Sequence, residues 1–171
     1  MSNPTAAMLV IGDEILSGRT KDTNTNYLAK ALTEAGITLT EARVVSDDQG
    51  AIVAAVNALR AAYDWVFTSG GIGPTHDDIT ADAIAAAFGV HIDVRDDARA
   101  LLAAHYAARG MEFNTARQRM ARIPDGATLI DNPVSIAPGG TRTLIATLDL
   151  PAPSFGSTVG LAVSPMAAGT M

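Results

Sequence analysis

Apolar runs of strand length alternate with stretches of helical spacing along the N-terminal half of the chain. "AMLVI" (7–11) has the pattern of a short buried strand and stops at Gly12. In 24–36, Leu28, Ala31, Leu32 and Ala35 fall on one helix face; Asn24 or Thr25 can cap its start, and Gly36 suits the residue after its end. Residues 37–45 alternate as a strand. Ile52, Val56, Leu59 and Tyr63 then recur at helical spacing, with Asp47 or Asp48 placed to cap that helix. "WVFT" (65–68) is the next buried strand and runs into a glycine turn. Thr80 is placed to cap a helix that Gly89 closes. Further helices are expected over 96–109 and 113–122, and a short strand over 127–130.

The order β-α-β-α-β-α predicts an α/β fold of three layers, α/β/α, around a mainly parallel sheet. After Gly139 the texture changes. Between 140 and 171 only Arg142 and Asp149 are charged, among many Thr, Ser, Pro, Gly and Ala. "TRTLIATLDL" is compatible with a strand, but the residues beyond 150 show no period. The expectation is one domain over 1–139 and a divergent, poorly ordered tail over 140–171, of the kind a frameshift or truncation leaves.

A length of 171 residues suits one domain with a real core, and 48% apolar against 18% charged residues excludes a disordered chain. The net charge of −6 argues against a nucleic-acid or anionic-membrane partner, since both reward Lys and Arg clusters. Without cysteine there are no disulfides, thiolate metal sites or Cys nucleophile. The N-terminus has no basic, apolar leader and no segment reaches spanning length, so the cytoplasm is the expected compartment.

In a parallel sheet the loops after the strands emerge along one edge, where ligands bind. That rule gathers Gly12, Asp13 and Glu14 with Ser46, Asp47 and Asp48, and with the turn "TSGGIGPTHDDIT" (68–80). Glycine turns at helix N-termini offer N–H groups to anions, and neighbouring carboxylates repel an anion unless a hard divalent cation bridges the two. Each feature also has an ordinary structural reading: Asp77 as a turn residue, Asp78 as a helix-end charge, Asp47 and Asp48 as caps. The turn is neither a Walker A loop nor G-x-G-x-x-G. His76, His91 and His105 lack metal-ligand spacing, and Arg117, Arg119 and Arg122 read as a solvated face or a phosphate-facing one.

In order, "VIGDEILSG…DTN", "VVSDD", "TSGGIGPTHDDIT", "N…RQ…M…IPDGA" and "NPVSIAPG" resemble the N-terminal domain of competence/damage-inducible protein A, within the MoaB/Mog-like molybdopterin-binding group, over about residues 6–139. The resemblance implies a homo-oligomer and one of two activities. One is Mg²⁺-dependent hydrolysis of ADP-ribose-like pyrophosphates; the other is binding or adenylylation of molybdopterin. A third reading is a vestigial paralogue without catalysis. The resemblance carries over Gly70, Gly71, Gly73, Thr75 and Asp78 as the phosphate-binding loop, with Asp47 as a second acid. Asp13, Glu14 and Asp77 fit the competence-type variant. The expected site therefore has Asp47, Asp77 and Asp78 in catalysis and Gly12, Gly70, Gly71, Gly73 and Thr75 on a nucleotide or pterin diphosphate. Asp13, Glu14 and Asp78 are expected on Mg²⁺ or another divalent cation.

Overall fold

Residues Ala6 to Ile11 are all buried, on both faces of the strand they form. In this computed structural model that strand, β1 (Thr5–Ile11), is an interior strand with neighbours on either side and helices on either face. The structure describes residues 3–129 together with the backbone of 144–148 and 158–163. The elements run α1 (Asp13–Leu16), α2 (Asn24–Glu34), β2 (Thr38–Val45), α3 (Gln49–Ala62), β3 (Trp65–Ser69) and α4 (Thr80–Phe88). They continue with β4 (Ile92–Val94), α5 (Asp96–Ala107), α6 (Thr115–Gln118), a 3₁₀ turn (Arg119–Ala121), β5 (Arg122–Pro124), β6 (Leu144–Leu148) and β7 (Thr158–Val163).

The main sheet has the order β2-β1-β3-β7-β6. β2, β1, β3 and β7 are parallel, and β6 runs antiparallel at one edge. β4 and β5 form a separate antiparallel pair. Side-chain alternation along β1 assigns the two faces. Ala7, Leu9 and Ile11 join Ile52, Ala55, Val56 and Leu59 of α3 and Ala83, Ile84 and Ala87 of α4 in one apolar cluster. Alanines on both helices let their backbones come close, and each large side chain buried there contributes about 1.5–3 kcal/mol. On the other face, Asn24 at the start of α2 reaches Ser69 of β3. The three-layer α/β architecture is as expected.

The structure corrects several local expectations. Residues 158–163, read as without period, form β7, hydrogen-bonded to β3 along its length; 144–148 form β6, within the stretch read as compatible with a strand. A strand inserted between β3 and β6 has both of its edges paired, so sheet pairing decides its conformation. The stretch 127–129 makes only an isolated bridge at Thr128; Ile130 lies outside the described residues. The helix expected over 113–122 shortens to α6 plus the 3₁₀ turn, and 122–124 pairs with β4, which was not foreseen. Asn24 and Thr25 lie inside α2. Asp22 supplies the acceptor for both of their N–H groups, at 2.8 and 3.3 Å.

Candidate functional site

The parallel strands bring three loop junctions to one rim, and the backbone itself joins them. Gly12 N–H donates to the Val45 carbonyl at 3.1 Å, tying the end of β1 to the end of β2. One residue on, Asp13 N–H donates to Asp47 Oδ2 at 2.9 Å. Gly70, at φ 99°, lies directly on the end of β1, where a Cβ would run into the Ile11 carbonyl oxygen. Capping is divided cleanly between the two adjacent aspartates. Asp48 accepts Ala51 N–H at 2.8 Å and caps α3, which frees Asp47 to reach across to α1.

Within the turn, Asp77 and Asp78 do different work. Asp78 folds back: its Oδ2 accepts Thr75 N–H at 2.8 Å and also the Thr75 hydroxyl. Its carboxylate lies over Gly73, 2.6 Å from where a Cβ would stand, so only glycine leaves room for it. Asp77 is exposed. Its carboxyl is held below the ordinary range, above all by the Thr75 side chain that it shares with Asp78, then by its own N–H, with His76 adding a smaller effect. Glu14 in turn lies over Gly12, its carboxylate oxygens 2.7 Å from a Cβ position there.

Thr80 opens α4 but does not cap it; its hydroxyl donates to the Gly70 carbonyl at 2.8 Å instead. This correction has a physical reason. Thr80 is fully buried, and the Gly70 carbonyl, held inside by the close approach to β1, needs a donor.

The rim is acidic, and among the described residues none of its carboxylates stands in an ion pair. The ion pairs among the described residues are Arg43–Glu41, Arg95–Asp97, Arg99–Asp96 and Arg122–Asp82, all elsewhere. Burial pushes the Asp47 carboxyl above its usual range. The Asp13 N–H opposes that rise, and the charges of Glu14, Asp13 and Asp77 add to it. Asp47 therefore feels acids from two other loops. Among the described residues no three His, Asp or Glu side chains are grouped so as to hold a metal ion. The expected set Asp13, Glu14 and Asp78 is thus not a preformed cage, and Asp78 is turned toward Thr75. What the rim offers is carboxylate oxygen alone, the donor of a hard cation that keeps waters and completes its shell with ligand phosphates.

Asn24, Ser69 and Thr80 were missed as site residues, although Asn24 stands in the quoted "DTN" motif. Asn24 Nδ2 donates to Ser69 Oγ at 2.6 Å, fastening α2 to the residue before the glycine turn. Of the arginines, Arg122 makes a two-pronged pair with Asp82 at 2.7 and 2.6 Å, and Arg117 lies 4.6 Å over the Tyr106 ring. Both hold the α4–α6 region together, whereas Arg119 is exposed. Among the described residues no helix is long and apolar enough to cross a membrane.

Residues 7–168 match the family model described as "Probable molybdopterin binding domain". The chain belongs to this family. The match runs past residue 139, through the region of β6 and β7. A solved CinA protein of Thermoplasma acidophilum, itself described as of unknown function, is 30% identical with a TM-score of 0.77, over 95% of this chain and 89% of that one. The tungsten-cofactor-synthesizing MoaB of Pyrococcus furiosus shares the fold, at TM-score 0.57 and 15% identity, over 95% of this chain and 83% of that one. A protein of Pyrobaculum calidifontis is 40% identical over 136 residues, which are 80% of this chain and 52% of the relative. The chain spans about half the length of the curated relatives it matches.

Proposed function

We propose that this molybdopterin-binding-type domain is a metal-dependent pyrophosphohydrolase for ADP-ribose-like nucleotides. The observation that carries the reading is the Asp47 carboxylate, anchored on Asp13 N–H and raised in pKa by burial and then by the charges of Glu14, Asp13 and Asp77, at the edge of a glycine turn. A carboxylate with a raised pKa is a better proton acceptor at neutral pH than an ordinary aspartate. In the proposed reaction water attacks one phosphorus, the bridging P–O bond breaks, and AMP and ribose 5-phosphate leave. Asp47 takes the proton of the attacking water. Asp78 keeps Thr75 and Gly73 in place for the phosphates, and Asp77 stays ionised at the exposed rim.

Asp13 and Glu14 are the carboxylates that would hold Mg²⁺ or another divalent cation, while Asp78 stays on Thr75. When bound there, the cation supplies charge neutralisation of the diphosphate and a more acidic water. Gly70 and Gly71 leave the backbone open to the ligand oxygens, while Gly12 and Gly73 make room for the Glu14 and Asp78 carboxylates. Exposed Leu16, Tyr27 and Val44 suit the homo-oligomer that belongs to the same proposal.

Incubation of the purified protein with ADP-ribose, with and without Mg²⁺ or Mn²⁺, tests the reading. Metal-dependent release of AMP is expected. No AMP above background with any divalent metal ends it. A second reading, binding of a pterin diphosphate such as molybdopterin without turnover, is favoured by the family match over 7–168. Saturable quenching of pterin fluorescence on titration with the protein, with no AMP formed from ADP-ribose, would select it.

A further inference from the structure

Thr80 is completely buried at the start of α4, yet its hydroxyl and its N–H serve neither the helix nor solvent. The hydroxyl donates to the Gly70 carbonyl at 2.8 Å and the backbone N–H donates to the Gly71 carbonyl at 3.0 Å. Two consecutive carbonyls of the turn are thus drawn toward one residue. No cis peptide bond occurs among the described residues. In a trans peptide the C=O and the following N–H point to opposite sides. Holding the carbonyls of Gly70 and Gly71 inward therefore turns the N–H groups of Gly71 and Ile72 away from Thr80. Among the described residues neither of these N–H groups has a hydrogen-bond acceptor.

We infer that Thr80 is a positioning residue: through its hydroxyl it fixes the Gly70–Gly71 peptide so that the Gly71 N–H stands ready for a ligand oxygen. Its own N–H does the same for Ile72. The inference rests on the diphosphate-binding reading above, and it deepens that reading by naming what aims the donors. Thr80 touches no ligand itself. The Gly70 side of the turn cannot retreat, because its Cα already lies against the Ile11 carbonyl. The hydroxyl of Thr80 and the end of β1 therefore hold the same glycine from two directions.

The pair Thr80→Ser and Thr80→Ala decides it, since the two differ only by the hydroxyl. In the full ¹⁵N-labelled chain with Mg²⁺, inorganic pyrophosphate is titrated while the Gly71 and Ile72 amide signals are followed. Wild type and Thr80→Ser are expected to show saturable shifts at both amides. Thr80→Ala is expected to bind about tenfold more weakly, the worth of one well-placed hydrogen bond, with the larger change at Gly71. Thr80→Val serves as a second hydroxyl-free variant that keeps the side-chain volume, should the alanine cavity unfold the protein. The inference is overturned if a folded hydroxyl-free variant binds as wild type does. It is equally overturned if Thr80→Ser loses as much as Thr80→Ala, or if pyrophosphate moves neither amide of the wild type. Failure of the hydrolase reading looks different: pyrophosphate still shifts Gly71 and Ile72, but ADP-ribose yields no AMP.

Discussion

Asp47 accepts the backbone N–H of Asp13 at 2.9 Å, so a side chain at the end of β2 holds the first turn after β1. This bond puts a partly buried carboxylate among like charges, an arrangement that costs stability wherever Asp47 is ionised. A group whose folded pKa is raised destabilises the fold above that pKa and stops doing so as the pH falls below its unfolded value. Asp47→Asn keeps an oxygen for Asp13 N–H and removes the charge. The variant is expected to melt higher than wild type at pH 7 and to lose AMP release. Its thermal advantage should vanish near pH 3, below the ordinary carboxylate range. Melting curves at both pH values check this, and a lower melting point at pH 7 would refute it.

Gly70 is expected to be the least replaceable glycine of the turn. Gly70→Ala combines a positive φ with a collision against the Ile11 carbonyl, a backbone atom that cannot swing aside. A loss of about 2–4 kcal/mol in urea unfolding is expected, as for other strained core positions. Gly18→Ala, also at positive φ but with nothing within 4 Å, is the control and should cost only about 1 kcal/mol.

Gly73 separates binding from stability. Here the atoms nearest a new Cβ all belong to the Asp78 carboxylate, the end of a side chain that can rotate away. Gly73→Ala should therefore leave the melting temperature within a few degrees of wild type while displacing Asp78 from Thr75. Pyrophosphate affinity measured by calorimetry with Mg²⁺ is expected to fall by about tenfold. Unchanged affinity would mean that the seat of Asp78 does not matter for the ligand.

Away from the rim, Tyr63 hydroxyl donates to Glu41 Oε2 at 2.9 Å and Arg43 grips the same carboxylate. The bond from Tyr63, with the one from Arg43, holds the Glu41 carboxyl below its usual range, and Glu41 holds the Tyr63 phenol above its own. The Glu41 contribution is present above the unfolded carboxyl pKa and is lost as pH falls through the lowered folded value. The Tyr63 contribution is present below about pH 10 and is lost as pH rises through the raised folded value. Tyr63→Phe removes the phenol's share of both, so its urea midpoint should vary less with pH than wild type at the acid and alkaline ends. Parallel curves for the two proteins would contradict it.

Much of the fold was legible because β1, α3, β3 and α4 carry their burial pattern locally. Leu9, Ile52, Val56 and Leu59 lie at the spacings that bury one face, and their elements form near the expected limits. Convergence of Asp13, Asp47 and the glycine turn on one rim followed from parallel topology alone. Partnerships were not legible. Two adjacent aspartates cannot be told apart as cap and cross-link until the β1–β2 register is known. The turn of Asp78 toward Thr75 is one of several local bonds an aspartate can make, and the inward hydroxyl of Thr80 depends on where the Gly70 carbonyl points. β7 was missed although Val159, Leu161 and Val163 alternate with Thr158, Gly160 and Ala162, because so short a run is hard to tell from the Pro-, Ser- and Gly-rich residues on either side of it.

The position of β7 carries a consequence for how the molecule is made. β3 borders the glycine turn, and one of its edges is completed only by residues 158–163, which leave a ribosome about ninety residues after β3 does. Until they arrive, β3 shows a row of bare amide and carbonyl groups that any extended peptide can zip onto. A nascent or clipped chain lacking them would invite clumping at the very strand that leads into the ligand rim.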